Sequence, residues 1–214
     1  MDFINWAVNF ILHLDTSLGA IISTYGELTY LILFAVIFCE TGLVVTPFLP
    51  GDSVLFAVGA FCAIGSLNIV LALIILTAAA VLGDTVNYWI GKSLRNALKD
   101  NKRLRFIKRE HLTKTSDFFD RHGGKTIILA RFIPIIRTFA PFAAGAGKMS
   151  YKHFFGFNVI GGLLWVFLVT FAGYFFGGLP FIRDNFSVVI IAIVIISVLP
   201  MIISNIISRI NKNK

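Results

Sequence analysis

Glu40, Asp52, Arg131 and Arg137 stand inside long apolar stretches of the chain. On insertion scales a charge at the centre of such a stretch costs roughly 2.5–3.5 kcal/mol, so four left alone would cost on the order of 10–14 kcal/mol, as much as a typical domain's whole stability. They must pair, hydrate or be neutralised. One stretch supplies two acids and the other two bases, which makes the stretches complementary if their tips meet. One reading is a lock of buried salt bridges, but ion pairs stabilise poorly compared with apolar packing of the same volume. The other is a site. Arg131 and Arg137 flank Pro134, and two planar forks suit the bidentate clamping of an anion, phosphate above all. Glu40 and Asp52 are then the proton-coupling groups, because a buried carboxylate holds or releases its proton according to whether the arginine is occupied. Asp84 and Asn87, one helical turn apart, form a second polar spot, read either as a proton relay or as interfacial solvation. Asn158 reads as a packing polar residue, and Tyr88, Trp89 and Trp165 as interfacial or packing aromatics.

Other chemistries lack their residues. His13, His111, His122 and His153 show no metal-ligand spacing, and Cys39 and Cys62 lie in apolar runs without a C-x-x-C, as small buried residues do. Gly123-Gly124-Lys125-Thr126 resembles the end of a phosphate-binding loop, but Phe119 occupies the position of its first glycine. No metal and no cofactor is expected. An intramembrane phosphatase would want a nucleophile such as histidine, and none falls in an expected crossing or hairpin tip; the chain is not expected to be an enzyme.

Stepping from these residues to what must hold them, 57% of the 214 residues are apolar, 22 are Phe and only 14% are charged, with mean hydropathy +0.85. Soluble domains carry roughly 25% charge, so this is an integral membrane protein, read as a single domain over 1–214. Segment 92–125 holds eleven of the nineteen basic residues against four acids, and accounts for +7 of the net +8. The positive-inside rule places 92–125, the 148–152 turn and the C-terminus in the cytoplasm, and the N-terminus outside. Attraction to anionic headgroups explains the basic segment without nucleic acid.

Three crossings satisfy that map: 67–91, 153–177 (with Gly173 and Gly177 spaced for close helix contact) and 186–207, kinked at Pro200. The stretches 28–66 and 126–147 must return to the side they enter. Turn chemistry interrupts each, with Pro47, Pro50 and Gly51 in the first and Pro134 and Pro141 in the second, so both are expected to be re-entrant hairpins. Residues 1–26, with polar Asp2, Asn5, Asn9, His13 and Thr16 along one stripe, suggest a helix lying at the outer interface. A further helix is expected around 109–122, ending at Gly123-Gly124. The expected fold is thus all-α, with two oppositely oriented hairpin-plus-crossing units, 28–91 and 126–177. Such inverted repeats with broken helices are a transporter plan, although the halves share no convincing sequence identity.

Three motifs also carry a resemblance: Glu40-Thr-Gly-Leu-Val-Val-Thr-Pro47-Phe-Leu-Pro50-Gly51-Asp52, then Gly83-Asp84-x-x-Asn87-Tyr88-x-x-Gly91, then Arg131-Phe-Ile-Pro134-Ile-Ile-Arg137. From about residue 28 to 178 the chain resembles the DedA family, which is similar to lipid scramblases of the VTT class. The resemblance implies proton-dependent transport in a bacterial cytoplasmic membrane, with undecaprenyl phosphate as one family substrate. It maps the family's acids onto Glu40 and Asp52 and its arginines onto Arg131 and Arg137.

The expected function is proton-dependent flipping of a phosphate-bearing lipid, a polyprenyl phosphate or a phospholipid. The expected partners are that lipid, protons, anionic headgroups at the basic segment and a second copy of the chain. A proton-coupled antiporter of small cations or cationic drugs is the alternative, disfavoured by two guanidinium groups beside the acids. A non-catalytic membrane organiser would leave the four charges unexplained. The charge map makes one direct prediction. With Cys39 and Cys62 replaced by Ser, Asp2→Cys should react with an impermeant thiol reagent on intact cells and Asn213→Cys should not; labelling at 213 would overturn the topology.

Overall fold

The computed structural model describes residues 14–43, 51–100, 123–147 and 149–193. Every regular element among them is helical: α1 Leu14–Tyr25, a 3₁₀ turn Gly26–Leu28, α2 Thr29–Gly42, α3 Gly51–Ala63, α4 Ile69–Asp100, α5 Lys125–Ala130, α6 Pro134–Ala146, α7 Tyr151–Phe176 and α8 Pro180–Asp184. Residues 186–193 are helical as well. Pro47, Pro50, most of the basic segment including the 109–122 helix, Lys148, Pro200 and the larger part of the 186–207 crossing lie outside the described residues.

Among the described residues, three stretches are long and apolar enough to cross a membrane: Thr16–Gly42, Ile69–Ala97 and Tyr151–Phe176. The last two match expected crossings, but α4 runs on to Asp100. Its 32 residues span roughly 48 Å against a hydrocarbon core of about 30 Å, so the helix carries Lys92 and Arg95 beyond the apolar layer. The first stretch was not expected as a crossing, and it is not one straight rod. Gly26 adopts φ +52°, a left-handed conformation that only glycine takes readily. The Thr29 hydroxyl donates to the Ile21 carbonyl at 3.4 Å, although residues eight apart in a continuous helix are separated by about 12 Å along its axis. The chain therefore bends sharply at 26–28, where the interfacial helix was expected to give way to the first hairpin.

The second proline-bearing stretch breaks at a different place than expected. Lys125–Ala130 and Pro134–Ala146 pack together across a three-residue interruption, Arg131–Ile133. Ile133 is extended, at φ −123° and ψ 105°, as the residue before a proline prefers. Pro134 opens α6, where its missing N–H removes no helical bond. Pro141, expected to interrupt the stretch, instead lies inside α6. A proline seven residues into a helix bends it locally without ending it when packing holds both sides.

The chain divides into two compact units. The first comprises Met1–Ala35, Leu49–Leu76 and Val166–Lys214. Its centre is α3, of whose 13 residues Gly51, Ser53 to Ala60 and Cys62 are buried. At about 20 Å a helix of this length is too short to span and is enclosed by protein. A Cβ at Gly173 would overlap the Phe56 backbone, and one at Gly177 would overlap Ala60, so this expected small-residue pair does permit close helix contact.

The second unit comprises Val36–Phe48 and Thr77–Trp165. Tyr88, Ile127, Ala130, Ala140, Ala144 and Phe154 form its core, with the Tyr88 ring stacked on Phe154 at 4.6 Å between centroids. Gly91 lies against the Phe142 backbone and Gly145 against that of Tyr88, so α4 and α6 meet backbone to backbone. The Tyr88 hydroxyl donates to the Met149 carbonyl at 2.7 Å, and Arg95 donates to the Gly147 carbonyl at the end of α6. Its outward faces are apolar, with Leu163 and Leu164 on α7 and Leu82, Val86 and Ile90 on α4 exposed. In water such a patch would be a liability; against lipid it is the natural surface.

The α4–α6 contact predicts a contrast between two glycines. Gly145→Leu should lower the melting temperature in detergent by the equivalent of roughly 1–3 kcal/mol of overpacking. Gly156→Ala, with open space at its Cβ position, should melt at or above wild type because alanine favours the helix. Equal melting of the two variants would refute the close approach.

Candidate functional site

Four helices and one break bring the polar residues of the second unit together. The last turn of α2 supplies Glu40 and Thr41. One face of α4 supplies Asp84, Asn87, Tyr88 and Gly91, at the i, i+3, i+4, i+7 spacing of a single helical stripe. The interruption before Pro134 supplies Arg131, and the first turn of α6 supplies Arg137 and Thr138. From α7 comes another such stripe: Asn158, Gly161, Gly162 and Trp165.

The ion pairs are specific. Arg131 donates through Nη2 to Asp84 Oδ2 and to Asn158 Oδ1, and Arg137 donates through Nη2 to Glu40 Oε1. Both pairs are buried: Arg131 is 2% exposed, Arg137 5%, Glu40 2% and Asp84 1%. Asn158 is itself fixed, its Nδ2 donating to the Val81 carbonyl at 3.0 Å. Asn87 Nδ2 donates to the carbonyls of Thr41 at 3.2 Å and Thr138 at 2.7 Å, tying the end of α2 to the start of α6. The Thr41 hydroxyl donates back to Ile37 at 2.9 Å.

Glycines make room for these contacts. A side chain at Gly83 would overlap Thr41 Oγ1, so its absence lets α2 approach α4 closely. At Gly161 a Cβ would stand 3.1 Å from Arg131 Cδ and 3.2 Å from the Ile128 backbone. The indole of Trp165, buried to 1%, lies under both guanidinium groups, with its centroid 4.6 Å from Arg137 Cζ and 5.9 Å from Arg131 Cζ. That is cation–π range for each, and desolvation strengthens the attraction.

Several expected site residues therefore converge, in partnerships the sequence did not specify. Glu40 meets Arg137, across the two stretches expected to form hairpins. Arg131 meets Asp84 from α4, so Asp84 is a buried ion-pair partner and not an interfacially solvated group. Asn87 is part of the same cluster. Asp52 sits half-buried in the first turn of α3, where the positive end of the helix dipole favours a carboxylate, and it belongs to the first unit. Gly51 opens the same helix and Pro134 opens α6, while Pro47 and Pro50 lie outside the described residues. Sequence reasoning underrated Asn158 and Trp165, assigned to packing; the signal was their seven-residue spacing on one face with a glycine pair between them.

The arrangement offers two buried, charge-balanced guanidinium groups, and Arg131 has donors to spare. Arg131 Nε and Nη1, Asp84 Oδ1 and Asn87 Oδ1 are buried without a hydrogen-bond partner among the described residues. Unmade bonds of this kind each cost roughly 1–3 kcal/mol, so these atoms are the cluster's unspent hydrogen-bonding capacity among the described residues. The described residues hold no group of three or more metal-ligating side chains.

Comparison with known proteins agrees with the residues. The VTT domain model matches residues 49–175. Protein DedA of Escherichia coli (strain K12) is 51% identical over 205 residues, covering 95% of this chain and 94% of that relative. An uncharacterized membrane protein of Mycobacterium leprae (strain TN) is 44% identical over 169 residues, 79% of this chain and 76% of its own. Inner membrane protein YghB of Escherichia coli (strain K12) is 36% identical over 159 residues, 74% and 73% of the two chains. No solved structure matches the chain. With a VTT domain over more than half its length and a 51% identical relative along nearly all of it, this multi-pass membrane protein belongs to the DedA family.

Proposed function

We propose that this chain is a proton-dependent transporter of a phosphate-bearing lipid, a polyprenyl phosphate such as undecaprenyl phosphate being the first to test, across the bacterial cytoplasmic membrane. The observation that carries the proposal is the burial of two guanidinium groups against one indole, each balanced by one acid. Such a pair of forks matches the charge and planar oxygens of a phosphate group, and the balancing acids supply groups that can take protons when the arginines turn to substrate. In this reading the chain binds and moves the lipid without chemical change to it. The arms around 28–66 and 126–147 act as oppositely oriented re-entrant hairpins of an inverted repeat, with the N-terminus outside and the C-terminus in the cytoplasm. The break at Arg131–Ile133 and the short enclosed α3 support that arrangement, because non-helical backbone is tolerated at membrane depth only inside protein or along a wet cavity. The basic segment would gather anionic headgroups, and a homo-oligomer is compatible with the exposed apolar faces.

The arginines decide between an anionic and a cationic substrate. Lysine keeps the charge but loses the fork, so Arg131→Lys and Arg137→Lys should each weaken binding of a polyprenyl phosphate in reconstituted vesicles by about ten- to hundred-fold, the worth of a charge-assisted hydrogen bond of roughly 1.5–3 kcal/mol. Unchanged phosphate-lipid affinity in both, with intact or improved binding of a lipophilic cation, would move the assignment to the cation antiporter.

The acids separate transport from mere stability. Glu40→Gln and Asp52→Asn should each abolish transport across a pH gradient while the protein still inserts. Glu40→Gln should in addition melt earlier, since it leaves Arg137 buried beside a neutral amide. Transport at the wild-type rate in both variants would remove these carboxylates from the mechanism.

A further inference from the structure

Arginine offers two edges to a planar oxyanion, Nε with Nη2 and Nη1 with Nη2, and Nη2 belongs to both. In this protein both hydrogens of Arg131 Nη2 are engaged, one by Asp84 Oδ2 and one by Asn158 Oδ1. The remaining donors, Nε and Nη1, are buried without partners among the described residues, and so is the second carboxylate oxygen, Asp84 Oδ1. The pair is therefore single-pronged, with both two-pronged edges blocked at their shared atom. No phosphate can take a fork of Arg131 until Asp84 or Asn158 lets go. Asn158 is anchored on Val81 by its amide nitrogen, whereas no second hydrogen bond of the Asp84 carboxylate appears among the described residues. Asp84 is the partner free to yield.

Resting on the reading of Arg131 as a phosphate ligand, we infer that Asp84 is the group that takes up a proton when Arg131 engages an anion, one proton for each phosphate held. Charge balance in a buried place requires it. The site begins neutral, with one guanidinium and one carboxylate. An incoming phosphate oxygen replaces Asp84 Oδ2 on Nη2, and the released carboxylate would leave the pocket with an uncompensated negative charge that a low-dielectric interior does not hold. A proton from water joins the Asp84 carboxylate, and the site is neutral again as guanidinium, singly charged phosphate and carboxylic acid. On departure of the phosphate the proton leaves and the ion pair reforms. The other charges that face this site are Arg137 from α6 and, paired with it, Glu40 from α2; α7 contributes the neutral Asn158 and Trp165, and α4 itself adds Asn87. Arg137 has its own balancing acid in Glu40, so the exchange at Arg131 draws on Asp84 alone.

The test is the pH dependence of binding of a short polyprenyl phosphate to the full chain in detergent, for wild type and Asp84→Asn. The ligand's own titration is common to both proteins and cancels in the ratio of affinities. Wild-type affinity should fall relative to the variant by about tenfold per pH unit in the alkaline range, the slope of one linked proton, while the variant binds as well as wild type in acid. Asp84→Glu should restore the slope. A ratio that stays flat with pH would leave Asp84 a structural partner only and overturn the inference. Failure of wild type to bind any phosphate lipid would instead overturn the phosphate reading on which it rests. Should Asp84→Asn fail to insert, calorimetry of Glu40→Gln in two buffers of different ionisation enthalpy reads the protons taken up at Arg131 without any contribution from Glu40. One proton per ligand, beyond the ligand's own, supports the exchange, and none overturns it.

Discussion

A guanidinium group cannot remain alone in an apolar interior, and the second unit is arranged around meeting that constraint at Arg131. Both Nη2 hydrogens must find acceptors, so Asp84 and Asn158 have to arrive from two different helices. Where α7 brings Asn158 this close, the residues three and four positions further on are Gly161 and Gly162, and a Cβ at either would crowd Arg131, Ile128 or Val81 at 3.0–3.2 Å. For α2 to pack on α4 beside Asp84, residue 83 must also be glycine. The same approach sets Glu40 beside Arg137, and Asn87 joins the two helix ends through their carbonyls.

Two buried ion pairs would be a poor device if stability were their only purpose, since apolar residues of the same volume serve as well or better. The Arg131–Asp84 pair is also incomplete among the described residues. A structural arginine in a sealed core uses most of its five donors; Arg131 uses the two on a single nitrogen. The indole of Trp165 adds attraction for both guanidinium groups without consuming a donor. The result is a pair of positive groups held in place and neutralised, with hydrogen-bonding capacity left over on Arg131.

The membrane supplies the complementary constraint. The faces of α4 and α7 turned away from the second unit's interior carry large apolar side chains, while polar groups gather on the faces turned inward. Breaks in the helices fall where the backbone has a local reason to break. Gly26 takes a left-handed conformation, and Ile133 is extended because a proline follows it. Helices too short to cross, such as α3 in the first unit, are enclosed by protein.

Composition alone determined that this chain lives in a membrane, because its apolar surplus has no soluble use, and motif chemistry alone singled out Glu40, Asp52, Asp84, Asn87, Arg131 and Arg137. Two of the expected crossings were legible from length and hydropathy for the same reason. The break before Pro134 was legible too, although Pro141 gave a false stop: a proline's effect inside a helix depends on what packs around it. The stripe Asn158, Gly161, Gly162, Trp165 was present in the sequence as a 3.6-residue period, but a period shows which residues share a face and not what that face meets. Pairing was the part that only the tertiary structure decided. By residue type, any of the acids could serve either arginine. Close approach between helices far apart in the chain put Asp84 and Asn158 on Arg131 and Glu40 on Arg137, because hydrogen bonds act over about 3 Å and which groups come within that distance is a property of packing.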